Sequence, residues 1–334
     1  MTQRSRRARL TVLITSILVV ATACTSSGSP KAAKSPSQSG TGTSATSNLS
    51  FVLIRHGLPS DSFWAPVQKG FTDGGSVYGI KTNFVATGNT PNDEAKAIDA
   101  AVAQKVSGIV VTLPDAGAEG AAIKRATAAG IPVITTNSGA SDWQKVGALT
   151  HVGQDEGIAG AGAATKLKAG GAKHLLCVEH QQGNIGLDAR CNGAKKTFGG
   201  RVDVQFVPGT SDGPGTEAAL KAKLQQDSSI DAVLTLDPDI SVFAKNAITG
   251  SNSKAKLATF DLSSSVLSSI KNGSIQFAVN QQPYVQGYLP VTLLKLYLDN
   301  GNIIGGGLPV LTGPSYVDKS NVDKTIACVK AGRC

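Results

Sequence analysis

The side chains that follow the apolar runs of this 334-residue chain are of a restricted kind. His56 follows FVLIR, and Asp61, Phe63 and Trp64 come shortly after in DSFW. Asn137 follows VITT, and Gln181 follows LLCVEH, with Asp188 and Arg190 opening the next segment. Asp237 follows AVLTL, Asp261 follows LATF and Gln281 follows FAVN. Most of these are carboxylates and amides, accompanied by two aromatics. Hydroxyl groups both donate and accept, so carboxylates and amides satisfy them in pairs. A buried hydroxyl without a partner costs about 1–3 kcal/mol, which makes such a site selective. The C–H face of a ring packs on an aromatic face, and Trp64 is the better candidate of the two. The set suits a hydroxyl-rich small molecule.

These residues need elements to hold them, and the chain reads as a long βα alternation. Strands are expected at 51–55, 82–86, 108–112, 132–136, 174–179, 202–207, 232–236, 257–260 and 277–280. Helices are expected at 63–78, 92–104, 117–129, 156–168, 187–198, 216–226, 240–248, 263–271 and 284–298. Continuous Val/Ile/Leu strands alternating with helices imply parallel sheets covered on both faces. That many units exceed one small doubly wound sheet, and a division falls near His151–Asp155. Two Rossmann-like lobes facing a cleft follow, with ligands outside the carboxyl ends of the strands.

The N-terminus carries a different signal. Arg4, Arg6, Arg7 and Arg9 precede an apolar run from Leu10 to Ala23, the pattern of a signal peptide over residues 1–23. At 14 residues the run is shorter than the ~20 a membrane-spanning helix needs. It ends in Ala21-Thr22-Ala23-Cys24, which resembles the bacterial lipobox. Lipidation of Cys24 is expected, with cleavage at an A-x-A site as the alternative. Residues 24–48 form the lipidated cysteine and a flexible linker rich in Ser, Thr, Gly, Ala, Lys and Pro. The chain is then exported and anchored to the outer face of the cytoplasmic membrane. The formal net charge is +9, and without the signal arginines +5, carried by scattered lysines. No basic run interleaves with aromatics, so nucleic acid is not an expected partner.

Besides Cys24 the chain has Cys177, Cys191, Cys328 and Cys334, an even number in an oxidising compartment. Local pairing, Cys177 with Cys191 and Cys328 with Cys334, is expected among three connectivities. Zinc and free buried thiols are the competing readings, but no CxxC or HxxxH spacing occurs. No metal or other cofactor is expected.

The segments SDSFW, IPVITTNS, HVGQDEGIAG, ARCNG, AVLTLDPD, ATFD and VNQQP, taken in order, resemble the type I periplasmic binding proteins of the ribose-binding cluster. The resemblance runs from Ser50 to Val317. It implies an α/β fold of two Rossmann-like lobes with parallel sheets joined by three hinge crossings. The crossings fall near Val152–Gln154, Gln281 and Leu311–Pro314. The lobes are then 49–152 plus 282–311, and 153–281 plus 312–334. It implies a monomer that presents a small neutral sugar or polyol to an ABC permease by hinge closure, with no covalent chemistry. Asp61, Phe63, Trp64, Asn137, Asp237, Asp261 and Gln281 fall on the family's ligand positions. Two departures bear on the ligand. Asn137-Ser138 stands where the family often has Asp-Arg, and Asp188 stands at a ligand arginine. Arg190 matches a more structural arginine. A sugar acid or sugar phosphate is therefore disfavoured, and inositol, a pentose or a linear polyol is favoured.

Other chemistries fit less well. FVLIRHG imitates the phosphate-binding start of histidine phosphatases, with His56 as acceptor. That chemistry needs a second histidine and converging arginines, and only His151, His174 and His180 remain. Asp237 and Asp239 read as one ligand and one helix cap, not a glycosidase pair. A sensor that shows its ligand to a membrane receptor shares every feature of an importer component.

Overall fold

The computed structural model describes residues 48–334. The signal peptide, most of the linker and Cys24 lie outside the described residues. From Ser50 the chain runs β1 (Ser50–Arg55), α1 (Trp64–Tyr78), β2 (Lys81–Ala86), α2 (Pro91–Ala103), β3 (Gly108–Val111), α3 (Ala116–Ala128), β4 (Val133–Thr136) and β5 (His151–Gly153). It continues α4 (Glu156–Ala169), β6 (His174–Glu179), α5 (Ile185–Thr197), β7 (Arg201–Phe206), α6 (Gly213–Gln226), β8 (Ala232–Thr235), α7 (Pro238–Gly250), β9 (Lys256–Phe260), α8 (Ser264–Asn272) and β10 (Phe277–Asn280). The last elements are α9 (Pro283–Asn300), β11 (Val310–Leu311), β12 (Ser315–Asp318) and α10 (Val322–Lys330).

The strands form two six-stranded sheets, ordered β11-β5-β4-β3-β1-β2 and β12-β10-β9-β8-β6-β7. Parallel neighbours need a crossover, and helices supply it. The inner strands β3, β4, β6 and β8 are buried along their whole length, because helices cover both faces. Alternation splits each strand between two cores. Phe51 and Leu53 pack with Phe71 and Leu294 on one face, while Val52 and Ile54 pack with Ile98 and Ile123 on the other. Leu176 and Val233 face Leu220 and Ile240, while Leu175 and Leu234 face Phe198 and Phe260.

Two helix pairs pack backbone against backbone. A Cβ on Gly160 of α4 would lie 1.9 Å from the Arg190 carbonyl oxygen of α5, and one on Gly193 would lie 2.1 Å from that of Gly157. In the first sheet's layer, Cβ atoms on Gly70 of α1 and Gly287 of α9 would lie 2.0 Å from the carbonyl oxygens of Tyr284 and Val67. Only glycine permits such an approach. Cys177 of β6 is joined to Cys191 of α5 (S–S 1.96 Å), and Cys328 of α10 to Cys334 (S–S 2.04 Å).

The short strands β5, β11 and β12 and helix α10 are not among the elements expected from sequence. β12 pairs antiparallel to β10, so the second sheet is parallel with one antiparallel edge.

Candidate ligand-binding site

In both sheets the strand order reverses beside the first strand: β2-β1-β3 in one, β7-β6-β8 in the other. Open α/β sheets bind ligands at such switch points, outside the carboxyl ends. The residues there are His56 after β1 and, from the second sheet, His180 after β6 and Asp237 after β8. They face one shared cavity, lined by residues that follow strands of both sheets.

The loop after β1 is built around Arg55. Its guanidinium donates to the carbonyls of His56, Gly57 and Leu58 at 3.0, 2.6 and 2.8 Å and lies 5.1 Å from the Trp64 ring centroid. Arg55 is therefore a buried loop clamp. Burial lowers its pKa to about 10. His56 is fixed through its backbone N–H, which donates to Thr112 Oγ1 at 2.9 Å. Asp61 Oδ1 accepts from Phe63 N at 3.0 Å and turns the chain into α1. Phe63 and Trp64 meet edge to face at 4.9 Å, and Trp64 meets His56 edge to face at 5.0 Å. Both aromatics line the cavity.

Asn137 and Asp261 end β4 and β9 with φ of +62° and +67°. Asn and Asp tolerate this left-handed region better than most residues, and such strain gathers at functional sites. Gln281 lies between them. Its Nε2 donates to Asp261 Oδ2 at 2.9 Å, and its Oε1 accepts from Asn137 Nδ2 at 3.2 Å and Gln286 Nε2 at 2.9 Å. One amide thus ties the first sheet's site residue to the second's. Asp237 caps α7, with Oδ1 accepting from the N–H groups of Asp239 and Ile240.

Arg190 reaches the cavity from α5. Glu156 of α4 holds it with two bonds of 2.6 and 3.0 Å, its Nη1 donates to the Leu236 carbonyl at 3.1 Å, and it lies 4.3 Å from the Phe260 ring centroid. Asp188 does not line the cavity. Its carboxyl interacts with that of Glu179, whose pKa rises to about 7 through burial and then through Asp188. The reason is helical phase. α5 starts at Ile185, capped by Asn184, which puts Leu187 and Arg190 three apart on the cavity face and turns Asp188 aside.

Gln181 lines the wall as expected, and several wall residues are additional to the predicted set: Ser138, His180, Asn184 and Leu236. His180 had a signal, because it directly follows β6 as His56 follows β1. Asn184 had one too, as an Asn before a helix. Gln286, with its side chain in the Gln281 network, had none beyond its place in α9.

The site is electrostatically uneven. Burial raises Asp61 to about 7, with Asp237 adding to it, and burial raises Asp237 to about 7, with Asp239 adding. Burial raises Asp261 to about 8. His56 and His180 are held neutral, lowered by burial to about 3 and about 4. Three buried polar atoms on cavity side chains have no partner among the described residues: His56 Nδ1, His180 Nδ1 and Asp261 Oδ1. Each leaves a hydrogen-bonding valence for a ligand. The cleft is closed: Ser62 Oγ donates to Asp239 Oδ1 at 2.9 Å, Ile185 N to the Pro114 carbonyl at 3.2 Å, and Asn184 Nδ2 lies 3.3 Å from His56 Nε2. Away from the cavity, His174, Asp203 and Asp227 cluster, but Lys223 and Arg201 already pair with Asp203, and Arg201 with Asp227. A metal ion there would have to displace two cations.

Residues 51–302 match the profile of the family described as periplasmic binding protein domain. The chain belongs to this family. A solved carbohydrate transporter from Acidothermus cellulolyticus 11B, in complex with myo-inositol, is 43% identical, with a TM-score of 0.83 over 85% of this chain and 99% of that one. The ribose import binding protein of Bacillus subtilis is 26% identical over 84% of this chain and 90% of that protein. The xylose/arabinose-binding protein of Sulfolobus acidocaldarius is 23% identical over 81% of this chain and 71% of that protein. As a periplasmic binding protein the chain captures a ligand and is not an enzyme, which removes the phosphatase reading of His56.

Proposed function

We propose that this protein captures a neutral cyclic polyol or sugar, myo-inositol foremost, and delivers it to the permease of an ABC importer. The observation that carries this is the cavity's wall. Asp61, Asp237 and Asp261 each commit one oxygen to the fold and present the other as an acceptor, beside two neutral imidazoles and the Phe63–Trp64 pair. A ring bearing hydroxyls all round supplies the matching donors and two C–H faces. Asn137, Arg190 and Gln281 complete the polar shell, with His56, His180 and Asn184 beside them on the wall. The 43% identity to a myo-inositol-bound transporter supports the choice of ring. Burial of hydroxyls inside a closed cleft links binding to hinge motion.

The same reading assigns the remaining segments. Residues 1–23 direct export, Cys24 carries the lipid, and residues 24–48 tether the body near the membrane. The lobes are 49–152 plus 282–311 and 153–281 plus 312–334, and the protein acts as a monomer with both cysteine pairs oxidised. Calorimetric titration with myo-inositol, ribose, xylose, arabinose, allose and glucose tests the ligand. Saturable binding of myo-inositol, stronger than that of the pentoses, is the expected result. No binding of any of the six would sink the reading.

A further inference from the structure

The cavity wall holds more acid than it can neutralise. Asp61 Oδ1, Asp237 Oδ1 and Asp261 Oδ2 are bonded within the fold, and Asp61 Oδ2, Asp237 Oδ2 and Asp261 Oδ1 have no protein partner among the described residues. Arg190 is the guanidinium on the wall, and Glu156 already matches its charge with two bonds. A neutral polyol brings donors to these oxygens but no charge. Asp61 comes from the loop after β1 and Asp237 from the end of β8, both line the one cavity, and Ser62 beside Asp61 donates to Asp239 at 2.9 Å, so closing the cleft brings two acids together with Asp239 behind them.

We propose that the site also takes an amine-bearing polyol, a cyclitol or sugar in which one hydroxyl is replaced by a protonated primary amine, with its ammonium held between Asp61 and Asp237. This rests on the polyol reading above and narrows it. An ammonium has three donors and no acceptor, so it meets acceptor-only carboxylates without turning a lone pair towards them. Its bonds to a carboxylate are charge-assisted and roughly twice as strong as neutral ones. Its charge cancels the repulsion between the two acids that opposes closure. The raised pKa values of both acids reflect the same unbalanced burial. The remaining groups near them are His180, neutral, and Arg55, which is engaged with loop carbonyls.

The test is calorimetric titration of the full chain at pH about 7.5 with myo-inositol and with its mono-amino analogues, one for each ring position. The expected result is at least one analogue bound about tenfold tighter than myo-inositol. In Asp61→Asn and Asp237→Asn the ratio of amine to parent affinity should fall to about one or below, with folding checked by thermal unfolding. Either variant suffices if the other fails to fold. Binding of myo-inositol with every amine weaker than the parent overturns the proposal and leaves the polyol reading standing. A tenfold preference that survives in a folded Asn variant overturns the placement between these two acids. Binding of neither ligand overturns both readings.

Discussion

Replacing Arg190 by Met isolates what the pair with Glu156 contributes. The guanidinium is 4% exposed and makes three bonds, two to Glu156 and one to the Leu236 carbonyl. Met fills much of the volume but supplies no charge. Glu156 then keeps the bond from Gln154 Nε2 at 2.8 Å and loses its counter-ion, and the Leu236 carbonyl loses this donor. Removing one partner of a buried pair costs about 3–5 kcal/mol, and the surviving Gln154 bond places this site near the lower value, about 3 kcal/mol. At roughly 2–4 °C per kcal/mol for a unit of this size, the melting temperature should fall by about 6–12 °C. The double variant Arg190→Met/Glu156→Leu removes both charges and should recover most of that loss, because apolar replacement of a whole pair is often nearly neutral. Circular dichroism melts and urea titrations of the unliganded proteins measure all three. A loss below about 1 kcal/mol in the single variant, or a double variant as unstable as the single, would refute the argument that an unmatched buried charge sets the cost.

Asp261→Asn keeps the side chain's shape and removes its charge, so polyol affinity should fall about tenfold or more by titration, at roughly 1.5–3 kcal/mol for a hydrogen bond to a charged group. Binding should tighten as pH rises from about 5 to 8. Hydroxyl donors favour ionised Asp61, Asp237 and Asp261, whose pKa values in the free site are about 7, 7 and 8, and complex formation should release protons that titrations in buffers of different ionisation enthalpy detect. The free protein should show the opposite trend. These folded-state values lie above the ordinary carboxylate value, so the acids' contribution to stability is present below about pH 4 and is lost as pH rises through 7 to 8. Gly160→Val should abolish folded yield or lower the melting temperature by more than 10 °C, roughly 3 kcal/mol or more, since its Cβ would lie 1.9 Å from the Arg190 carbonyl oxygen. A folded Gly160→Val protein of unchanged melting temperature would mean that α4 and α5 can separate at little cost.

The nine long strands and nine long helices were readable because each buries enough apolar surface to impose its own period. β5 and β11 were not. They have three and two residues and pair with each other across 158 positions of sequence (Val152 with Val310), so their strand character comes from neighbours, not from local pattern. Asn137, Asp237, Asp261 and Gln281 were readable as the first polar residues after apolar strands. Asp188 was misplaced because it was set by its match to a family arginine position, whereas the face of α5 that meets the cavity carries Leu187 and Arg190. The role of Arg55 was not readable for a different reason. Its partners are backbone carbonyls, and carbonyls leave no mark in a sequence.

The packing of α9 on α1 bears on how the chain leaves the ribosome and crosses a membrane. α1 is made well before α9, yet each offers the other a glycine and a close backbone approach. Until residue 287 emerges, the face of α1 that carries Gly70 has no mate, and the first sheet lacks β11 at its edge. β1 to β5 and β6 to β10 are each synthesised as one uninterrupted run, and the second sheet waits in the same way for β12. Neither sheet therefore gains its last strand until the segment that follows α9 has been made, so the two halves of the fold are completed together and late.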